Sequence, residues 1–148
     1  DHALARLHRP TPRLALGLAL RDIASAAMDV SDGLIQDLGH LLKASGGVAP
    51  LGAVLTLEQL PLSQAMQHLT GKGEVWQRQV LDWALTAGDD YELLFTVPAA
   101  RQQTVEALAR ELGLPQTCLG VIDVSADLAL RWHGVSYPLA DRKGFQHF

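Results

Sequence analysis

Five consecutive residues, Asp29-Val30-Ser31-Asp32-Gly33, combine two carboxylates, a hydroxyl and a glycine. They stand where a short apolar run gives way to a helical pattern. Two hard oxygen ligands three positions apart suit Mg²⁺, which takes one or two protein carboxylates and completes its shell with phosphate oxygens and water. Gly33 leaves room for a phosphate near the backbone, at a helix start whose free N–H groups favour anions. By spacing alone the same residues read more readily as helix punctuation, with Ser31 or Asp32 as an N-cap that stabilises by roughly 0.5–2 kcal/mol. Asp29 speaks for the metal. A carboxylate ending an apolar strand needs a partner, and no basic residue lies in the ten positions after it.

A second acidic stretch is Gly88-Asp89-Asp90-Tyr91-Glu92. Strand alternation puts Asp90 and Glu92 on one face and Asp89 with Tyr91 on the other. Alone it reads as a solvated turn. Two acidic turns beside buried strands suggest one shared pocket. The third feature is the tail, Lys143-Gly144-Phe145-Gln146-His147-Phe148. Its aromatics either cover a ligand ring or pin the chain end into the core. Other chemistries lack their motifs. The chain has no Walker-type loop, no HExxH and no Gly-x-Ser-x-Gly elbow. Cys118 is the only cysteine, which excludes an intrachain disulfide and a finger-type zinc site, and it reads as a core residue.

The elements that must hold these turns are legible by pattern. Residues 25–30 read as a buried strand. A helix follows through about residue 44, with Leu34, Ile35, Leu38, Leu41 and Leu42 on one face and Gln36, Asp37, His40 and Lys43 on the other. Gly46 or Gly47 ends it. Residues 48–57 predict a strand, which Pro50 and Gly52 mark as an edge or a bulge. Helices are expected from 61 to about 69, over 74–85 with Val75, Val80, Leu81, Ala84 and Leu85 available to a core, and over 104–112. Strands are expected over 91–97, 117–122, 128–132 and 135–139. Residues 13–22 favour helix, after a break at Arg9-Pro10-Thr11-Pro12-Arg13 that itself follows a short helix. Helices and strands mix without strict alternation, so the fold class is α+β, with a mixed β-sheet flanked by helices.

The 148 residues suit one domain with a real core. Apolar residues make up 48% and charged residues 19%, a globular composition. The net charge of −4 gives no footprint for nucleic acid. No apolar run approaches the roughly 18 residues of a membrane span. With a single cysteine and no signal peptide, a reducing, cytoplasmic setting is expected. The chain has no initiator methionine and opens inside a helical pattern, which suggests a piece of a longer protein.

Taken together, these motifs resemble the C-terminal half of the thiamine-monophosphate kinase family, within the aminoimidazole-ribotide-synthetase-like superfamily. The resemblance runs in order through Arg9-Pro10-Thr11-Pro12-Arg13, then Ala27-Met28-Asp29-Val30-Ser31-Asp32-Gly33-Leu34, then Asp37-Leu38-Gly39-His40 and Leu60-Pro61-Leu62-Ser63. It continues through Gly88-Asp89-Asp90-Tyr91-Glu92-Leu93-Leu94-Phe95-Thr96-Val97-Pro98 to the tail from Lys143 to Phe148. Other members of the superfamily, such as aminoimidazole ribotide synthetase, selenophosphate synthetase or a hydrogenase-maturation protein, share the turns in part. The tail and the Pro-Thr-Pro-Arg segment point to the kinase.

The resemblance implies transfer of the γ-phosphoryl of ATP onto thiamine monophosphate, giving thiamine diphosphate. It implies Asp29 and Asp32 as Mg²⁺ ligands, Ser31 on the nucleotide phosphates, and Asp89 and Phe145 on the thiamine substrate. It further implies that residues 1–148 form one C-terminal domain, with 1–13 as a linker. An N-terminal ATP-binding domain would lie outside this chain, which alone would be inactive, and the whole enzyme would be a homodimer. One departure stands out: the family's Gly-Gly-Glu-Asp turn is here Ala87-Gly88-Asp89-Asp90. Aspartate is one methylene shorter, so its substrate contact needs a water or a backbone shift. The alternative is a non-catalytic binding or dimerisation module whose acidic turns are only caps.

Overall fold

A computed structural model describes Leu4, Arg6 and residues 8–138 of the chain. The first described helix of more than one turn, α1 (Leu14–Ala19), leads through a tight turn into β1 (Ala26–Val30). The acidic turn follows and opens into α2 (Leu34–Gly46). After β2 (Gly52–Thr56) and a single 3₁₀ turn come α3 (Gln64–Thr70) and α4 (Glu74–Thr86). The second acidic turn leads into β3 (Glu92–Thr96), and α5 (Gln102–Leu112) follows. Strands β4 (Gly120–Asp123), β5 (Leu128–Trp132) and β6 (Val135–Tyr137) complete the described chain. The α+β class with a mixed sheet and flanking helices is what the sequence predicts.

The strands form two sheets. β1 and β3 make an antiparallel ribbon in which Asp29 faces Leu93 and Val30 faces Glu92. The other four strands lie in the order β4-β2-β5-β6, with β2 antiparallel to β4 and parallel to β5. β2 is therefore central, not the edge that its Pro50 and Gly52 suggest. Gly52 serves close approach instead: a Cβ there would lie 2.7 Å from the Asp123 carboxylate and would collide with Ser125 and the Asp127 carbonyl.

Two hydrophobic clusters hold the ribbon between them. The larger joins Val30, Leu34, Leu38 and Leu42 to Leu55, Leu57, Leu81, Leu85 and Leu130, with Leu94 packed against it. The smaller joins Leu16 and Leu20 of α1 to Val105 of α5, with Leu93, Phe95 and Val97 against it. Alternation along β3 thus feeds Leu94 to one core and its neighbours to the other. β1 is less buried than its apolar sequence suggests, because a two-stranded ribbon leaves part of one face open: Ala27 and Asp29 are exposed. Val75 and Cys118 are also exposed, not core. Helix α4 turns Val80, Leu81 and Leu85 inward and leaves Val75 on its outer face.

Candidate functional site

Pairing of β1 with β3 brings the two acidic turns together, although some sixty residues separate them. Past the end of the ribbon, Tyr91 donates its N–H to the Val30 carbonyl at 2.8 Å, and Asp89 donates to the Ser31 carbonyl at 2.9 Å. The turns touch backbone to backbone, and two glycines allow it. A Cβ on Gly88 would collide with the Ser31 carbonyl oxygen. One on Gly33 would sit 2.8 Å from the Thr86 carbonyl oxygen. Gly33 also adopts φ 110°, which other residues rarely reach.

The capping differs from the sequence expectation. Gly33, and neither Ser31 nor Asp32, occupies the N-cap position of α2, and no side chain caps it. The Ser31 and Asp32 amides lie just before the helix and are held by Asp37. Ser31 N–H donates to Asp37 Oδ2 at 2.9 Å and Asp32 N–H donates to the same oxygen at 3.0 Å. The amphipathic reading places Asp37 on the solvent side, yet it is buried at 1% exposure. The signal that finds it is spacing: residues 34, 37, 38, 41 and 42 follow the i, i+3, i+4, i+7, i+8 stripe, and only 37 is charged.

With the backbones fixed, the Tyr91 side chain reaches Asp89 and feels the charges of Asp29 and Asp32. Tyr91 Oη donates to Asp89 Oδ1 at 3.1 Å. That bond, and then the charges of Asp89, Asp29 and Asp32, raise the phenol above its usual range. Asp89 and Tyr91 both have positive φ, 65° and 50°. Aspartate tolerates this conformation. For tyrosine it costs roughly 1–2 kcal/mol, which its interactions must offset. The alternation expected across 89–92 starts only at Glu92, because the preceding turn is not extended.

Of the two other acids of this stretch, Glu92 is neutralised. Arg13 grips it with two bonds, Nε to Oε2 at 2.8 Å and Nη2 to Oε1 at 2.7 Å. Arg6 adds a third at 2.7 Å and also donates to the Asp90 carbonyl at 3.0 Å. The Arg13 guanidinium holds the Glu92 carboxyl below the usual range. Partial burial and the Glu92 charge raise Asp90. Among the described residues, the arginines thus serve Glu92 and no Lys or Arg ion pair reaches Asp29 or Asp89.

An apolar cleft of about 420 Å³ opens beside the junction of the turns. Its lining includes Pro10, Pro12, Leu14 and Leu18 together with Asp29 and Tyr91. Of the predicted site residues, Asp29, Ser31, Asp32 and Asp89 share this junction, whereas Phe145 lies outside the described residues. The donor set fits Mg²⁺ in kind: hard carboxylate oxygens from two positions, with a phosphate expected to supply the rest. Among the described residues, no group of three or more His, Cys, Asp or Glu side chains forms a metal cluster. No helix of the described chain is long and apolar enough to cross a membrane.

No protein-family model matches the chain. Among curated proteins it is similar to the thiamine-monophosphate kinase of Salmonella typhimurium, 47% identical over 99% of this chain and 43% of that protein. It is similar to that of Escherichia coli at 42% identity, over 100% of this chain and 43% of that protein. The chain therefore spans less than half the length of these relatives. Its fold is similar to the crystal structure of thiamine-monophosphate kinase from Stenotrophomonas maltophilia K279a (TM-score 0.75, 42% identity, 85% of this chain and 37% of that one). It is also similar to AaThiL complexed with AMPPCP and TMP (TM-score 0.69, 28% identity, 98% of this chain and 40% of that one).

Proposed function

We propose, for a chain that corresponds over its length to the C-terminal part of the thiamine-monophosphate kinases, that it supplies one wall of a phosphoryl-transfer site. The whole kinase would move the γ-phosphoryl of ATP onto the phosphate of thiamine monophosphate. The observation that carries this reading is the joining of the two acidic turns, with Asp89 N–H bonded to the Ser31 carbonyl at 2.9 Å.

Asp29 and Asp32 are the residues to hold Mg²⁺, which when bound neutralises phosphate oxygens and orients them for in-line displacement. Ser31 lies between them and offers its hydroxyl to the nucleotide phosphates. Asp89, oriented by the Tyr91 hydroxyl, faces the thiamine substrate, and Phe145 covers its ring. The acceptor is a phosphate oxygen, nucleophilic at neutral pH, so the chain needs no strong general base. Tyr91 accordingly acts as a donor to Asp89 with its phenol protonated. In this reading residues 1–148 are the C-terminal domain of a longer, cytoplasmic, homodimeric enzyme. Its ATP-binding domain lies outside this chain, and the chain alone is inactive.

The test is an assay of a kinase carrying this chain as its C-terminal part, supplied with ATP and thiamine monophosphate. Mg²⁺-dependent formation of thiamine diphosphate is expected. A protein that leaves thiamine monophosphate untouched while phosphorylating another acceptor would reject the reading in favour of a different member of the superfamily.

A further inference from the structure

We infer that Asp37 is the positioning residue of the first acidic turn, an inference that rests on the reading of Asp29 and Asp32 as metal and phosphate ligands. Asp29 is set by the strand, since its backbone is paired with Leu93. Asp32 lies beyond the strand, in a turn with no ladder of its own. The second acidic turn holds the Ser31 carbonyl, through the Asp89 N–H at 2.9 Å, and Gln36 Nε2 reaches Asp32 Oδ2 at 3.4 Å. The amide side of the turn is held by one oxygen, Asp37 Oδ2, which accepts the consecutive N–H groups of Ser31 and Asp32 at 2.9 and 3.0 Å. Two donors converging on one acceptor orient two successive peptide planes, and with them the direction in which the Ser31 and Asp32 side chains leave the backbone.

The choice of residue supports a dedicated role. Position 37 falls on the apolar stripe of α2 with Leu34, Leu38, Leu41 and Leu42, all buried. A leucine there would complete the stripe. A buried carboxylate is costly unless its hydrogen bonds are made, and Asp37 is the one buried charged or polar residue among those described. The two amides satisfy one of its oxygens, and its place in the first helical turn lets the helix dipole favour its charge. Helix formation does not call for this residue; the turn does. By taking both amides, Asp37 also removes them as phosphate donors, which leaves the side chains of Ser31 and Asp32 as the groups this turn presents.

Four forms of a kinase carrying this chain as its C-terminal part decide the matter: wild type, Asp37→Asn, Asp37→Leu, and Leu38→Val as a core control of similar burial. Amide hydrogen exchange is read at Ser31 and Asp32, Mn²⁺ affinity by electron paramagnetic resonance, and folding by thermal melting. Wild type should protect both amides. Asn keeps the size but loses the charge, and charge-assisted bonds are roughly twice as strong as neutral ones. Exchange at Ser31 and Asp32 should therefore quicken about tenfold and the Mn²⁺ Kd weaken by 10–100-fold, the range typical when a ligand's supporting group is lost. Melting should stay cooperative. Asp37→Leu should melt at least as high as Asp37→Asn and show the same loss of protection, which covers the case of an Asn variant that folds poorly. Leu38→Val should lower the melting temperature and leave the Mn²⁺ Kd unchanged. Loop-like exchange at both amides in wild type would overturn the inference. So would unchanged exchange in both Asp37 variants, or equal weakening of Mn²⁺ by Leu38→Val. Protected amides in a wild-type kinase that binds no Mn²⁺ would instead strike the metal reading and leave Asp37's hold on the turn standing.

Discussion

Glu92 and its two arginines separate the acids of the second turn into two kinds. Glu92 is spent on structure: it ties Arg6 and Arg13 to the first residue of β3. Its folded carboxyl is lowered, chiefly by the Arg13 bonds. The stability it contributes is therefore present above the unfolded value, about pH 4.3, and is lost as pH falls through the lower folded value. The site is about half exposed, so solvent screening limits the contribution to about 0.5–1 kcal/mol. Glu92→Gln should lower the melting temperature by about 1–4 °C at pH 7 and by nothing measurable at pH 3. An equal drop at both pH values would contradict the ion-pair account. Sequence alone did not sort these acids. The pattern Asp-Asp-Tyr-Glu is visible, but which acid pairs depends on arginines some eighty positions upstream. Asp37 was open to discovery, because a charge on an apolar stripe is an anomaly that demands a partner.

Elements matter here through where they end. β1 and β3 place the two turns side by side only because Gly33 and Gly88 let the backbones meet. Gly88→Ala would drive a Cβ into the Ser31 carbonyl, a neighbour that is backbone and cannot swing aside. The expected cost is about 1–3 kcal/mol, of the overpacking kind, or a fall of about 2–12 °C in melting temperature. A melting temperature unchanged from wild type would show that the turns do not meet as described. Local pattern was enough to find β1, α2, α4, α5, β5 and the turns, since each has its own periodicity and punctuation. It misled for β2, where a glycine that admits Ser125 and Asp127 resembles one that marks an edge. It also overestimated the burial of β1, because the width of a sheet is set by long-range pairing that no single strand records.

At the scale of the molecule, two cores flank one ribbon, and the larger is continuous from β1 through α2 and α4 to β5. That continuity predicts a single cooperative thermal transition for the chain on its own. Leu81→Ala, at a site 2% exposed, should cost about 2–5 kcal/mol. A broad, noncooperative melt of the wild-type chain would contradict the continuity. The cleft of Pro10, Pro12, Leu14 and Leu18 borders the acidic junction, and Leu14 and Leu18 are 72% and 66% exposed.

The most direct measurement is turnover in the whole kinase with Asp29→Asn and Asp32→Asn, assayed for thiamine diphosphate at saturating ATP over a range of Mg²⁺. Each variant should lose about 100-fold or more in rate while melting close to wild type, because removing a metal ligand costs at least what removing its supporting group does. Turnover near wild type in both would contradict a metal-phosphate role for the turn and leave it a structural junction.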